Sequence, residues 1–82
     1  MTSFYVGANV EVGPEVVIAA GTVLEAAPGS RLIVEAGVCI GAGVVIQAYG
    51  GDLRLATGAN VGQAVLLLGT GTIGAHAGIG AE

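Results

Sequence analysis

Aliphatic residues recur at a spacing of six along most of this chain, which fits neither an amphipathic helix nor an ordinary alternating strand. The residue after each of them is usually glycine or alanine, and the fifth residue of each hexad is usually small or valine. The chain is therefore an internal repeat, and its fold follows from the repeat unit. Three registers carry the spacing: Val6, Val12, Ile18 and Leu24; Val34, Ile40 and Ile46; and Leu55, Val61, Leu67, Ile73 and Ile79.

Each hexad predicts one short strand, with its first and fifth residues pointing inward, and one corner. Glycine and alanine suit corners, where a left-handed or crowded backbone makes a Cβ costly. Three hexads make one triangular coil, and coils stack about 4.8 Å apart. The pattern resembles the hexapeptide repeat of the left-handed parallel β-helix. It predicts an all-β fold of about four triangular coils over residues 6–82, after a lead-in of residues 1–5.

Two insertions interrupt the period. The step between registers is ten residues at the first and nine at the second, and the additional residues are placed at 28–31 and 50–52. Leu32 and Leu53 then resume the inward role. The insertions fall one full coil apart, so they should leave the same corner, one above the other. Two tolerated surface loops would give the same pattern, because loops accept insertions readily.

This corner predicts an ion pair between coils. Arg31 and Asp52 end the two insertions and should lie on neighbouring coils. A pair at such an exposed edge contributes about 0–1 kcal/mol.

The outward residues sort into three columns, one for each side of the triangle. The column of Val23, Val45 and Leu66 has no polar member, and a soluble monomer seldom exposes so contiguous an apolar patch. We therefore predict a protein interface there, which Val17 and Cys39 extend. The alternative is that β-branched residues simply favour strands. The other two columns are Glu11, Ile33, Arg54 and Thr72, and Val17, Cys39, Asn60 and Gly78.

Composition excludes several classes of function. Lys and Arg total 2 and the net charge is −4, so the basic stripe that nucleic acid requires is absent. Although 54% of the residues are apolar, the best apolar run, residues 64–68, is far shorter than the roughly 20 residues of a membrane-spanning helix. The start, MTSFYVG, does not resemble a signal peptide. The single cysteine, Cys39, excludes an internal disulfide and fits a reducing compartment, so we expect a cytoplasmic protein.

No residue cluster predicts catalysis, a cofactor or a metal. Residues 69–74 match G-x-G-x-x-G, but further hexad corners follow instead of the helix that a dinucleotide site needs. His76 is the only histidine and lies at a corner without an evident acid or base partner. Catalytic zinc needs three protein ligands, and His76 with Cys39 is too few. A trimeric hexapeptide-repeat enzyme that uses His76, an acyltransferase or a residual γ-class carbonic anhydrase, remains the alternative.

Residues 24–47 resemble the matching part of γ-class carbonic anhydrases. That resemblance implies an arginine, an aspartate and a zinc-binding histidine at three positions. This sequence has Glu25, Ala27 and Gln47 there. The carbonic anhydrase residues are therefore replaced wherever the two can be aligned.

Residues 18–51 and 65–81 closely resemble the N-terminal domain of the CcmN family of carboxysome assembly proteins. The most specific features are SRLIVEAGVCIG after the first insertion and the Gly-Gly pair in the second. The resemblance implies a non-enzymatic adaptor within the cytoplasmic carboxysome. In that family the β-helix binds the carbonic-anhydrase-like scaffold protein CcmM, which gathers Rubisco for carbon fixation. A linker and a C-terminal encapsulation peptide, absent from this sequence, bind shell proteins. Self-association as a homotrimer stays open, because the apolar column of Val23, Val45 and Leu66 suits contact with further copies of this chain as well as contact with CcmM.

Overall fold

The computed structural model describes residues 4–75 and 77–79, which form ten β-strands and, within those ranges, no helix. Every strand pairing is parallel. The strands are β1 Tyr5–Val6, β2 Val10–Val12, β3 Val17–Ile18, β4 Val23–Ala26, β5 Arg31–Val34, β6 Cys39–Ile40, β7 Val45–Leu55, β8 Asn60–Val61, β9 Leu66–Ile73 and β10 Gly78–Ile79.

The strand register measures the length of one coil. Tyr5 pairs with Val23, a separation of 18 residues, which is three hexads. Across the first insertion Val23 pairs with Val45, 22 residues on, and across the second Val45 pairs with Leu66, 21 residues on. Insertions of four and three residues account for both differences. The predicted parallel β-helix of about four coils is therefore confirmed.

The coils present three walls. The apolar wall holds β1, β4 and the first parts of β7 and β9. The charged wall holds β2, β5 and the last parts of β7 and β9. The cysteine wall holds β3, β6, β8 and β10. Strands β7 and β9 continue through the corner between the first two walls, which joins those walls into one six-stranded sheet.

The core lies inside the two central coils. Leu24, Ile46 and Leu55 are fully buried, as the inward positions predict. In the first coil, however, Val6 and Val12 remain 39% and 42% exposed. An inward residue is buried completely only when coils lie on both sides of it, and the described residues place no coil below the first.

Two separate requirements at the corners explain the small residues. The fourth hexad position takes a left-handed φ, which is 79° at Gly21, and the non-glycine residues Asn9, Glu15 and Ala64 adopt it as well. The second position is crowded instead. A Cβ on Gly41 would lie 2.8 Å from the backbone nitrogen of Gln63 in the next coil. The predicted left-handed and crowded backbone is thus found at two different positions of the hexad.

The two insertions leave the same corner, as predicted. The amide of Gly51 donates a hydrogen bond of 3.0 Å to Oγ of Ser30, which is only 6% exposed. Arg31 and Asp52 are direct partners in the strand register. The buried serine therefore joins the second insertion to the first.

The predicted ion pair between Arg31 and Asp52 is wrong. Nη1 of Arg31 lies 3.5 Å from Oε2 of Glu11 instead. Glu11 lies on the preceding coil, opposite Ile33. Ile33 is two residues along the strand from Arg31, so the two side chains point to the same outward face. The long arginine side chain therefore reaches diagonally, although its backbone pairs with Asp52.

Candidate protein interface

The apolar wall carries an outward column of four apolar or aromatic residues. The register stacks Tyr5, Val23, Val45 and Leu66 in that order. Tyr5 is 54%, Val45 36% and Leu66 70% exposed, and Val23 is half-buried. Sequence reasoning placed the last three residues in one column and missed Tyr5. The signal was available, because Tyr5 precedes Val6 just as Val23 precedes Leu24.

A second outward column runs beside the first on the same wall. Glu25 pairs with Gln47, and Gln47 with Leu68. Leu68 is 64% exposed and was also missed, although it follows Leu66 by two residues and so faces the same side of the strand. The second column is thus apolar at the last coil, where Leu68 lies, and polar at the two preceding coils, where Gln47 and Glu25 lie.

A cleft of about 280 Å³ opens at the polar end of the wall. The Tyr5 ring lies across Gly7, where an added Cβ would be 3.3 Å from the Cε2 atom of Tyr5. Glu25, Ala27 and Gln47, the positions aligned with carbonic anhydrase residues, all line this cleft. It therefore holds one carboxylate and one amide at those positions. Its complete lining is Tyr5, Gly7, Ala8, Glu25, Ala26, Ala27, Pro28 and Gln47.

Val17 and Cys39 lie on a different wall from Val45. They stack directly on each other in the cysteine wall, with Asn60 as the next member of their column. Val17 is 60% exposed, and the Cys39 thiol is free and exposed. The five predicted partner-binding residues therefore divide between two walls, and one flat surface cannot cover both groups.

The described residues contain no group of three His, Cys, Asp or Glu side chains that could hold a metal ion. His76 lies outside the described residues. The segment that matches G-x-G-x-x-G lies in β9 and immediately after it, so its glycines belong to the repeat. In residues 4–75 and 77–79, no helix is long and apolar enough to cross a membrane.

Two curated proteins match the chain along nearly all of its length. The carboxysome assembly protein CcmN of a Synechocystis species is 41% identical over 82 residues, which are 100% of this chain and 34% of that protein. CcmN of Synechococcus elongatus is 38% identical over 79 residues, which are 96% of this chain and 49% of that protein. The chain is homologous to CcmN. It spans between about a third and a half of these CcmN relatives. No protein-family profile and no solved structure matches it.

The charged wall of this CcmN homologue contains a carboxylate that joins two coils. Nε of Arg54 donates to Oε2 of Glu35, while the amide and the hydroxyl of Thr57 donate to Oε1 at 3.0 and 3.2 Å. The hydrogen bond from Arg54 is the main cause that lowers the pKa of Glu35 below its usual 4.5, and the Thr57 donors add to it. Glu35 thus links its own coil to Arg54 and Thr57 of the next coil.

We expect the stability of the CcmN-related chain to fall as pH decreases below about 4.5, in part because of Glu35. A lowered folded-state pKa adds stability above the unfolded-state pKa, and this contribution is lost as pH falls through the folded-state pKa. Glu35→Gln should therefore flatten the pH dependence of the urea midpoint as pH falls below about 4.5.

Glu15→Gln is the matched control, because Glu15 is exposed and makes no side-chain hydrogen bond or ion pair to any described residue. Equal pH profiles for the wild-type chain and Glu35→Gln would contradict the assignment.

Proposed function

We propose that this domain is a non-enzymatic adaptor in carboxysome assembly that binds the scaffold protein CcmM through its apolar wall. The observation that carries the proposal is the exposed column of Tyr5, Val23, Val45 and Leu66 on a homologue of CcmN. The curated relatives are named as carboxysome assembly proteins, which supports the assembly role. The binding of CcmM is what the family resemblance implies for a β-helical domain of this kind.

The dimensions of the domain suit an interface on one wall. A typical specific interface covers about 800 Å² on each partner, roughly a fifth of the 4417 Å² accessible surface of this chain. Interfaces commonly have an apolar centre and a polar rim. On this wall Leu66, Leu68 and Val45 supply apolar area, and Glu25 with Gln47 supplies polar groups beside it. Burial of the apolar part contributes about 25 cal/mol per Å², less the cost of association.

In this proposal, the segment that binds the shell lies in sequence outside this chain. The chain spans 34% and 49% of its two relatives, so most or about half of each relative lies beyond the match. The resemblance places a linker and an encapsulation peptide that binds shell proteins in that remainder. The domain would then bind the scaffold protein with its cargo inside the carboxysome, while the encapsulation peptide binds the shell proteins.

Native mass spectrometry tests the adaptor role directly. The 82-residue chain is measured alone and mixed with the carbonic-anhydrase-like domain of CcmM. We expect a mixed complex, and its mass will give the stoichiometry. A homotrimer that does not bind CcmM would contradict the proposal. Near-stoichiometric zinc in the purified chain would favour the hexapeptide-repeat enzyme instead.

A further inference from the structure

No cationic side chain of the described residues lies at the polar end of the apolar wall. The two basic residues of the whole sequence are Arg31 and Arg54. Arg31 is engaged by Glu11, and Arg54 by Glu35, both on the charged wall. Glu25 therefore contributes a carboxylate to its cleft while both arginines are committed elsewhere.

The cleft is lined by an aromatic residue as well as by this carboxylate. Gly7 donates its amide to the carbonyl of Leu24 at 2.9 Å, so it lies one coil below Glu25 with no side chain of its own. The Tyr5 ring occupies the space over Gly7, and both Tyr5 and Glu25 line the same cleft. Carboxylates and aromatic rings both attract cations. A guanidinium group can use both at once, because it is planar, carries five donors and stacks on aromatic rings.

We propose that this cleft is a socket for an arginine side chain of the protein that docks on the apolar wall. The inference rests on the proposed function, since it gives the partner a basic residue at a defined place. Glu25 and Gln47 each lie two residues along the strand from a member of the apolar column, Val23 and Val45, and face the same side. An arginine at the edge of a partner surface that covers the column would reach the cleft. The net charge of −4 favours such a partner.

The socket can be tested without the partner. The ¹⁵N-labelled chain is titrated with acetyl-glycyl-arginine amide, and with acetyl-glycyl-citrulline amide as the neutral isostere. We expect the arginine peptide to shift the amide resonances of Gly7, Ala8 and Gln47, with a Kd on the order of millimolar. Citrulline should bind at least about tenfold more weakly, because it lacks the charge. Equal shifts from the two peptides, or none from either, would overturn the socket.

Variants separate the cleft from general acidity. Glu25→Gln should remove the preference for arginine over citrulline, whereas Glu15→Gln, at an exposed corner outside the cleft, should retain it. Loss of the preference in both variants would show nonspecific attraction and overturn the assignment.

The complex gives a second and independent readout. Glu25→Gln should weaken binding to the carbonic-anhydrase-like domain of CcmM about tenfold and reduce its salt dependence. Unchanged affinity and salt dependence would overturn the socket while leaving the adaptor role intact. If the wild-type chain does not bind CcmM, the proposed function fails, but the peptide titration still tests the cleft. If Glu25→Gln weakens only the self-association of this chain and leaves its binding to CcmM unchanged, the assignment of the cleft to a different partner protein is overturned.

Discussion

Val45→Glu is expected to leave the chain folded and to weaken the proposed complex with CcmM by about 100-fold or more, close to 3 kcal/mol. Val45 lies in the middle of the apolar column, between Val23 and Leu66, and is 36% exposed. In the free chain a glutamate there points outward and stays hydrated. In the complex it would be an unpaired buried charge, which costs several kcal/mol.

Ile33→Glu is the matched control for this substitution. Ile33 takes the equivalent outward place on the charged wall, between Glu11 and Arg54, and is also β-branched. Isothermal titration calorimetry of both variants, with circular dichroism to verify folding, separates the two walls. Wild-type affinity for Val45→Glu, or equal weakening by Ile33→Glu, would contradict the choice of the apolar wall.

Ile46→Ala is expected to reduce the free energy of unfolding by about 2–5 kcal/mol. The Ile46 side chain is fully buried between the coils above and below. Truncation removes its contacts and leaves a cavity that stacked strands cannot easily close. Small domains have a total stability near the lower end of about 5–15 kcal/mol, so the melting temperature should fall by roughly 10 °C or more.

Val45→Ala, one residue earlier in β7, is the control for packing. Its side chain points to the opposite face of the same strand and is already 36% exposed. We expect it to change stability by less than about 1 kcal/mol. Thermal and urea unfolding of both variants measure the difference. Similar losses from the two substitutions would mean that β7 does not separate core from surface as the structure describes.

Properties that repeat with the hexad were predictable from the sequence. The inward set around Leu24, Ile46 and Leu55 follows from the period, because strand side chains alternate between faces. The columns follow from adding three hexads and the lengths of the insertions, and the register confirms them. The sequence also placed both insertions at one corner, where Gly51 and Ser30 meet. Tyr5 was missed because the column of Val23 was not extended to the first coil, and Leu68 because the second column of the same wall was not considered.

Features that depend on the reach of individual side chains were not predictable from the period. Arg31 forms an ion pair with Glu11 and not with Asp52, because a long side chain can extend diagonally between coils. The exposure of Val6 and Val12 depends on whether a coil covers them, which a repeating pattern does not express. The cleft lies where the Tyr5 ring packs over Gly7, and Glu25 also lines it. The sequence by itself therefore determined the β-helix, its inward-facing residues and its outward columns, since these depend on periodic backbone geometry. Only the tertiary structure decided the ion pairs, the open first coil and the cleft, since these depend on the conformations of individual side chains and on which coils cover one another.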